Sequence, residues 1–170
     1  MSGRGLKWER VCENSRSRLQ QDGCLMWMPF HPAVLKVGKG LSSKKGSFLA
    51  IWKGKAPPDW CAITNDMFIL GDDKDCKGDV WWTGNVKEHQ AKYFDQFEDY
   101  GGVSCVLLRM KDRSRWVVPW KKLRPLWVNG GSLNLESVGR YGLQWKYKCD
   151  GQPNYDWLSP LKEQINGKSS

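Results

Sequence analysis

Residues 103–127, VSCVLLRMKDRSRWVVPWKKLRPLW, read as a β-hairpin and its exit. VSCVLLRM (103–110) alternates so that Val103, Cys105 and Leu107 share one face of a strand. KDRS (111–114) is the turn and RWVV (115–118) the return strand, which Pro119 stops because it has no N–H to donate. PWKKLRPLW (119–127) suits a tight 3₁₀ turn feeding a last short strand. Upstream, VWWTGNVKE (80–88) is rich in β-formers. A regular strand there points Trp81 and Trp82 to opposite sides, so at least one indole is exposed. HQAKYFDQFEDYGG (89–102) is a long excursion with room for a helical turn.

Farther out the signals weaken. Residues 1–21 are polar and basic and fit a short helix or an arm. GCLMWMPFHPAVLKV (23–37) reads as two extended pieces bent at Pro29 and Pro32. GKGLSSKKGS (38–47) is a loop by composition, FLAIW (48–52) a strand, and KGKAPPD (53–59) a turn. WCAITNDMFIL (60–70) is strand-like around Ile63 and again from Met67 to Leu70, and GDDKDCKGD (71–79) reads as an acidic connector. GLQWKYK suggests one more strand, and DWLSPLKEQI a short C-terminal helix with Ser159 as N-cap and Pro160 at the first helical position.

The 170 residues make one domain or two very small ones, with 40% hydrophobic and 26% charged residues, a globular composition. Eleven tryptophans are the outlier. No apolar run reaches the length of a membrane span. The six cysteines, at 12, 24, 61, 76, 105 and 149, include no CxxC, and only His31 and His89 could complete a zinc site. Reduced thiols in the cytosol or nucleus follow. The net charge of +9 favours an anionic partner. It is concentrated in two runs: Lys36, Lys39, Lys44, Lys45, Lys53 and Lys55, and Arg109, Lys111, Arg113, Arg115, Lys121, Lys122 and Arg124.

Sequence signatures of catalysis are absent: no G-x-S-x-G, P-loop, G-x-G-x-x-G or H-E-x-x-H. The acidic run Asp72, Asp73, Asp75 and Asp79 fails the calcium-loop spacing, since Lys77 replaces a ligand and no Glu closes the loop. It reads as a solvated connector, and neither metal nor cofactor is expected. Aromatic rings on strand ends can instead surround a methylated ammonium, at about 0.5–2 kcal/mol per good contact. Candidate cage residues are Trp81, Trp82, Tyr93, Phe94, Tyr100, Trp116 and Trp120, with Asp95, Asp99 or Asp112 at the rim. The competing expectation is that most of these rings fill a core.

The opening W-W-x-G-x-V (Trp81, Trp82, Gly84, Val86) and the closing W-V-x-P-W-x-x-L-x-P-L, with Pro119, Trp120, Leu123 and Pro125, resemble the Tudor-type "royal family" of chromatin readers. The pattern is most similar to the cryptic Tudor module of bromodomain-and-WD-repeat proteins, and less so to PWWP domains. The resemblance spans about 50 residues, 78–127. It implies a mainly β fold: a small SH3-like barrel over 76–128, after an arm at 1–22 and a β subdomain or companion barrel at 23–75. A strand and short helix at 129–170 would pack on it. The implied function is a nuclear, non-enzymatic reader of methylated histone tails. Its cage would draw on Trp81, Trp82, Tyr93, Tyr100, Trp116, Trp120 and Asp112. Nucleosomal DNA would lie against Lys44, Lys45, Arg113, Arg115, Lys121, Lys122 and Arg124. Two alternatives are a nucleic-acid-binding module with stacked tryptophans and a scaffold for unmodified peptides, neither bound to a membrane.

Overall fold

The computed structural model describes residues 5–30, 34–39, 48–52, 57–145 and 155–165. Six strands make one open mixed sheet: β1 (Met26–Pro29), β4 (Trp60–Ile63), β5 (Phe68–Asp75), β7 (Val103–Arg109), β8 (Arg115–Pro119) and β10 (Leu143–Gln144), side by side in that order. β2 (Val34–Lys39) and β3 (Phe48–Trp52) form a separate antiparallel pair, as do β6 (Val80–Trp82) and β9 (Ser132–Asn134). The helices are α1 (Gly5–Gln21), α2 (Glu88–Asp99), α3 (Trp120–Val128), α4 (Val138–Tyr141) and α5 (Leu158–Ile165).

β5 and β7 are parallel, and the chain between them carries α2. A parallel pair needs such a crossover, whereas antiparallel neighbours need only a turn. The β7–β8 hairpin is of that second kind, with Leu107 opposite Val117. At its turn Arg113 adopts φ 70°, and Asp112 Oδ1 accepts from the Ser114 N–H at 2.9 Å.

Strand alternation sorts the core into two layers. On one face Ile69, Cys105, Leu107 and Val117 pack against Trp8, Cys12 and Leu19 of α1 and Leu158 and Leu161 of α5. On the other, Leu70, Val106, Leu108 and Val118 pack against Ala91 and Phe94 of α2 and Trp120 and Leu123 of α3. The result is a sheet between two helical layers. Among the described residues, no helix is long and apolar enough to cross a membrane.

The expected SH3-like barrel is therefore corrected to a mixed α/β sheet. A barrel has no edges, and here β1 and β10 are both edges. Strands from residues 23–75 and 76–128 share the one sheet. Two segments misled the β reading. Residues 89–102 place Gln90, Ala91, Phe94 and Phe97 at helical spacing, and this face turns inward in α2. Residues 119–127 form α3 rather than a 3₁₀ turn, despite Pro125 inside it. Downstream, the N-terminal end of α5 is held by Asp156 rather than Ser159, whose N–H donates to Asp156 Oδ1 at 3.0 Å.

Candidate active site

Asp59 stands immediately ahead of β4, and Asp72, Asp73 and Lys74 are successive residues of β5. Period-2 geometry turns Asp72 and Lys74 toward α2 and Asp73 and Asp75 toward α1. The acidic run 71–79, expected as a solvated connector, is thus in its first half a central strand. Each carboxylate has a basic partner: Lys74 for Asp72, Arg16 for Asp73, Arg109 for Asp75 and Lys111 for Asp79.

On the α2 side the Asp72 side chain is fully buried. Its Oδ1 accepts from Gln90 Nε2 at 3.3 Å. Its Oδ2 lies 2.5 Å from Lys74 Nζ but has no hydrogen bond of good geometry. Gln90 is set by the first turn of α2: its Oε1 accepts the Lys87 N–H at 3.1 Å and faces Lys74 Nζ at 3.4 Å. Asp59 precedes the Trp60–Gly71 pair, so it stands across from Asp72 at the end of the ladder. Burial pushes the Asp72 carboxyl well above the usual range; the Lys74 ammonium pulls it back, and the Asp59 charge raises it again. Two carboxylates, a lysine and a glutamine thus converge at one end of the β4–β5 hairpin.

On the α1 side Asp73 is sealed. Arg16 Nη1 donates to both its oxygens at 3.0 Å, and Trp60 Nε1 to Oδ1 at 2.8 Å. Burial raises Asp73 to about 6, against the opposing pull of Arg16. The Asp73 N–H donates to Asp59 Oδ2 at 2.8 Å. Arg109 grips Asp75 through Nε and Nη2, at 2.9 and 2.6 Å.

Among the described residues no group of three or more His, Cys, Asp or Glu side chains is arranged to hold a metal. A magnesium-like cation needs less, because one or two carboxylates suffice when substrate phosphates complete its shell. Asp59 and Asp72 fit that requirement. They face each other across the ends of β4 and β5 and offer hard oxygens, and Asp72 Oδ2 is buried with the Lys74 ammonium beside it but no hydrogen bond of good geometry. Motifs built on histidine and cysteine do not reveal this pair. The legible signal was Pro58-Asp59 ahead of one strand and Asp72-x-Lys74 at alternate positions of the next.

The expected cage residues are dispersed. Trp81, Phe94 and Trp120 are core, with Phe94 and Trp120 ring centroids 5.3 Å apart. Trp120 Nε1 donates to Asp95, the candidate rim carboxylate. Trp82, Tyr93 and Tyr100 are exposed, and Trp116 is half-buried with its Nε1 on Ser114. Asp112 and Arg113 belong to the β7–β8 turn. Of the basic candidates, Arg115 lies over the Trp145 ring, Arg124 pairs with Asp95, and Lys121 and Lys122 are exposed at the start of α3. Lys44 and Lys45 lie outside the described residues, as does His31.

The family model for recombination protein U, RecU, matches residues 4–159. The chain belongs to the RecU family. Among solved structures it is similar to Hjc, a Holliday junction resolvase from the archaeal hyperthermophile Archaeoglobus fulgidus, at 14% identity and a TM-score of 0.51. That match covers 82% of this chain and 94% of the other, and it supports the fold. No curated protein matches the chain. RecU membership overturns the Tudor resemblance, and with it methyl-lysine reading and the histone-tail partner. It also replaces the non-enzymatic expectation with a nuclease family. RecU membership also contradicts the expected nuclear location, which rested on the chromatin-reader resemblance. Of the expected partners, DNA survives in part.

Proposed function

We propose that this RecU chain is a phosphodiesterase that cuts four-way DNA junctions. The observation that carries the reading is the convergence of Asp59, Asp72, Lys74 and Gln90 at the head of β4 and β5. Hydrolysis of a phosphodiester joins a water oxygen to phosphorus and breaks one ester P–O bond, leaving a phosphate monoester and a hydroxyl end. Negative charge grows on the phosphoryl oxygens, so catalysis rests on fixed positive charge and on alignment.

Lys74 supplies the charge. Its ammonium is held by Asp72 and Gln90, so it presents a cation without a search through rotamers. Gln90 keeps Asp72 oriented, and the Lys87 N–H at the start of α2 keeps Gln90 in place. Asp59 and Asp72 would hold a divalent cation, which when bound polarises the phosphate and lowers the pKa of coordinated water. The charge supports a polyanionic substrate: the chain carries +9, and Lys121 and Lys122 are exposed at the start of α3.

The test is cleavage of an end-labelled four-way junction against a linear duplex of the same sequence, with magnesium, for the wild type and Asp72→Asn. Junction-selective nicking that Asp72→Asn abolishes supports the reading. Equal cutting of both substrates, or full activity in the variant, refutes it.

A further inference from the structure

Behind the catalytic face, β4 and β5 are bolted together around the buried side chains of Arg16, Trp60 and Asp73. Asp59 lies outside the β4–β5 ladder, which begins at Trp60 opposite Gly71. Its place depends on local bonds: its carbonyl accepts the Phe30 N–H at 2.8 Å, and its Oδ2 accepts the Asp73 N–H at 2.8 Å. Trp60, the next residue, donates from Nε1 to the Asp73 carboxylate. Asp73 therefore ties down both Asp59 and Trp60, one through its backbone and one through its side chain. Asp73 is itself held by Arg16 of α1, whose side chain is 3% exposed. The guanidinium lies 4.8 Å from the Trp27 ring centroid and 4.8 Å from that of Trp60.

A buried ion pair of this kind is a poor source of stability, because desolvating both charges offsets most of their attraction. Packed apolar side chains would hold α1 on the sheet as well. What the pair supplies is direction: Arg16 Nη1 reaches both Asp73 oxygens, and the planar guanidinium is itself held against the Trp27 and Trp60 rings, so the carboxylate meets its donor in one orientation. We propose that Arg16 is a positioning residue that acts through Asp73 to aim the Asp59 carboxylate at Asp72. The inference rests on the nuclease reading for its catalytic consequence, but not for its geometry. It also gives the N-terminal helix a role beyond packing, because α1 reaches through the sheet to set one carboxylate of the site on the opposite face.

The experiment reads geometry and chemistry separately. Amide hydrogen exchange in the metal-free protein follows the Asp73 N–H directly, and single-turnover junction cleavage follows the consequence. In Arg16→Met the Asp73 amide is expected to lose protection about 10-fold while amides of β7 keep theirs. Cleavage at saturating junction should fall about 10-fold or more, with junction affinity unchanged within about twofold. Arg16→Lys, which keeps the charge but not the planar group packed on the Trp27 and Trp60 rings, should fall between and carries the test if Arg16→Met does not fold. Unchanged Asp73 protection overturns the proposal. So does a loss shared equally with β7, which would make Arg16 a general stabiliser. A wild type that cuts no junction refutes the nuclease reading alone, and the exchange result still decides the role of Arg16.

Discussion

Lys74 and Gly71 sit in the same strand and are irreplaceable for different reasons. Lys74 is the ammonium closest to the carboxylate pair, so Lys74→Ala should lower the single-turnover cleavage rate by about 100-fold or more and leave junction affinity nearly intact. A parallel loss of affinity, with a normal rate at saturation, would make Lys74 a phosphate anchor instead. Gly71 is fixed by packing. A Cβ there would lie 2.0 Å from Cζ2 of Trp60, whose indole cannot swing away while Nε1 is bonded to Asp73. Gly71→Ala should therefore cost about 1–3 kcal/mol in denaturant unfolding. It should also slow cleavage, because Trp60 carries Asp59 with it.

At the level of elements, α2 and α3 are joined by one carboxylate. Asp95 accepts from Trp120 Nε1 at 2.8 Å and from Arg124 through Nε and Nη2, at 2.7 and 3.2 Å. Burial raises its pKa, but the Arg124 and Trp120 donors together hold it below the ordinary carboxylate value. Asp95→Ala leaves the fully buried Trp120 N–H without its acceptor, at about 1–3 kcal/mol near neutral pH. A depressed carboxylate stabilises the fold above its unfolded pKa and loses that contribution as pH falls through the folded value. The stability gap between wild type and Asp95→Ala should thus be constant at neutral pH and narrow on acidification below the normal range of Asp. Chemical denaturation at a series of pH values checks it, and a gap that widened in acid would contradict it. The same elements explain why the sheet was half legible. β7, the 111–114 turn and β8 were readable because alternation and a local turn suffice for a hairpin. The parallel pairing of β5 with β7 was not, since it depends on residues far apart in the chain meeting across α2.

For the whole molecule, +9 is a statement about the partner's charge rather than its identity. The wrong partner, a methylated histone, and the proposed one, junction DNA, draw on the same lysines and arginines. Salt separates a polyanion from a cage-bound peptide. Junction affinity should fall by about tenfold or more between 50 and 200 mM salt, as expected when several phosphates are neutralised. Fluorescence anisotropy of a labelled junction measures it, and a salt-independent affinity would remove the basic surface from the interface.

By itself, the sequence determined the globular class, the positive charge, the β7–β8 hairpin, the α5 segment and the strand character of residues 60–70. All of these follow from local pattern. Only the tertiary structure decided that Trp8, Trp60, Trp145 and Trp157 fill one core and Trp81 and Trp120 the other, because the burial of a ring depends on what the opposite helix brings to it. Only the tertiary structure brought Asp59 to Asp72 and Gln90 to Lys74. A carboxylate ahead of one strand, a D-x-K in the next and a glutamine at the start of a helix are unremarkable apart. They become a site when strand pairing and the α2 crossover place them within hydrogen-bond reach.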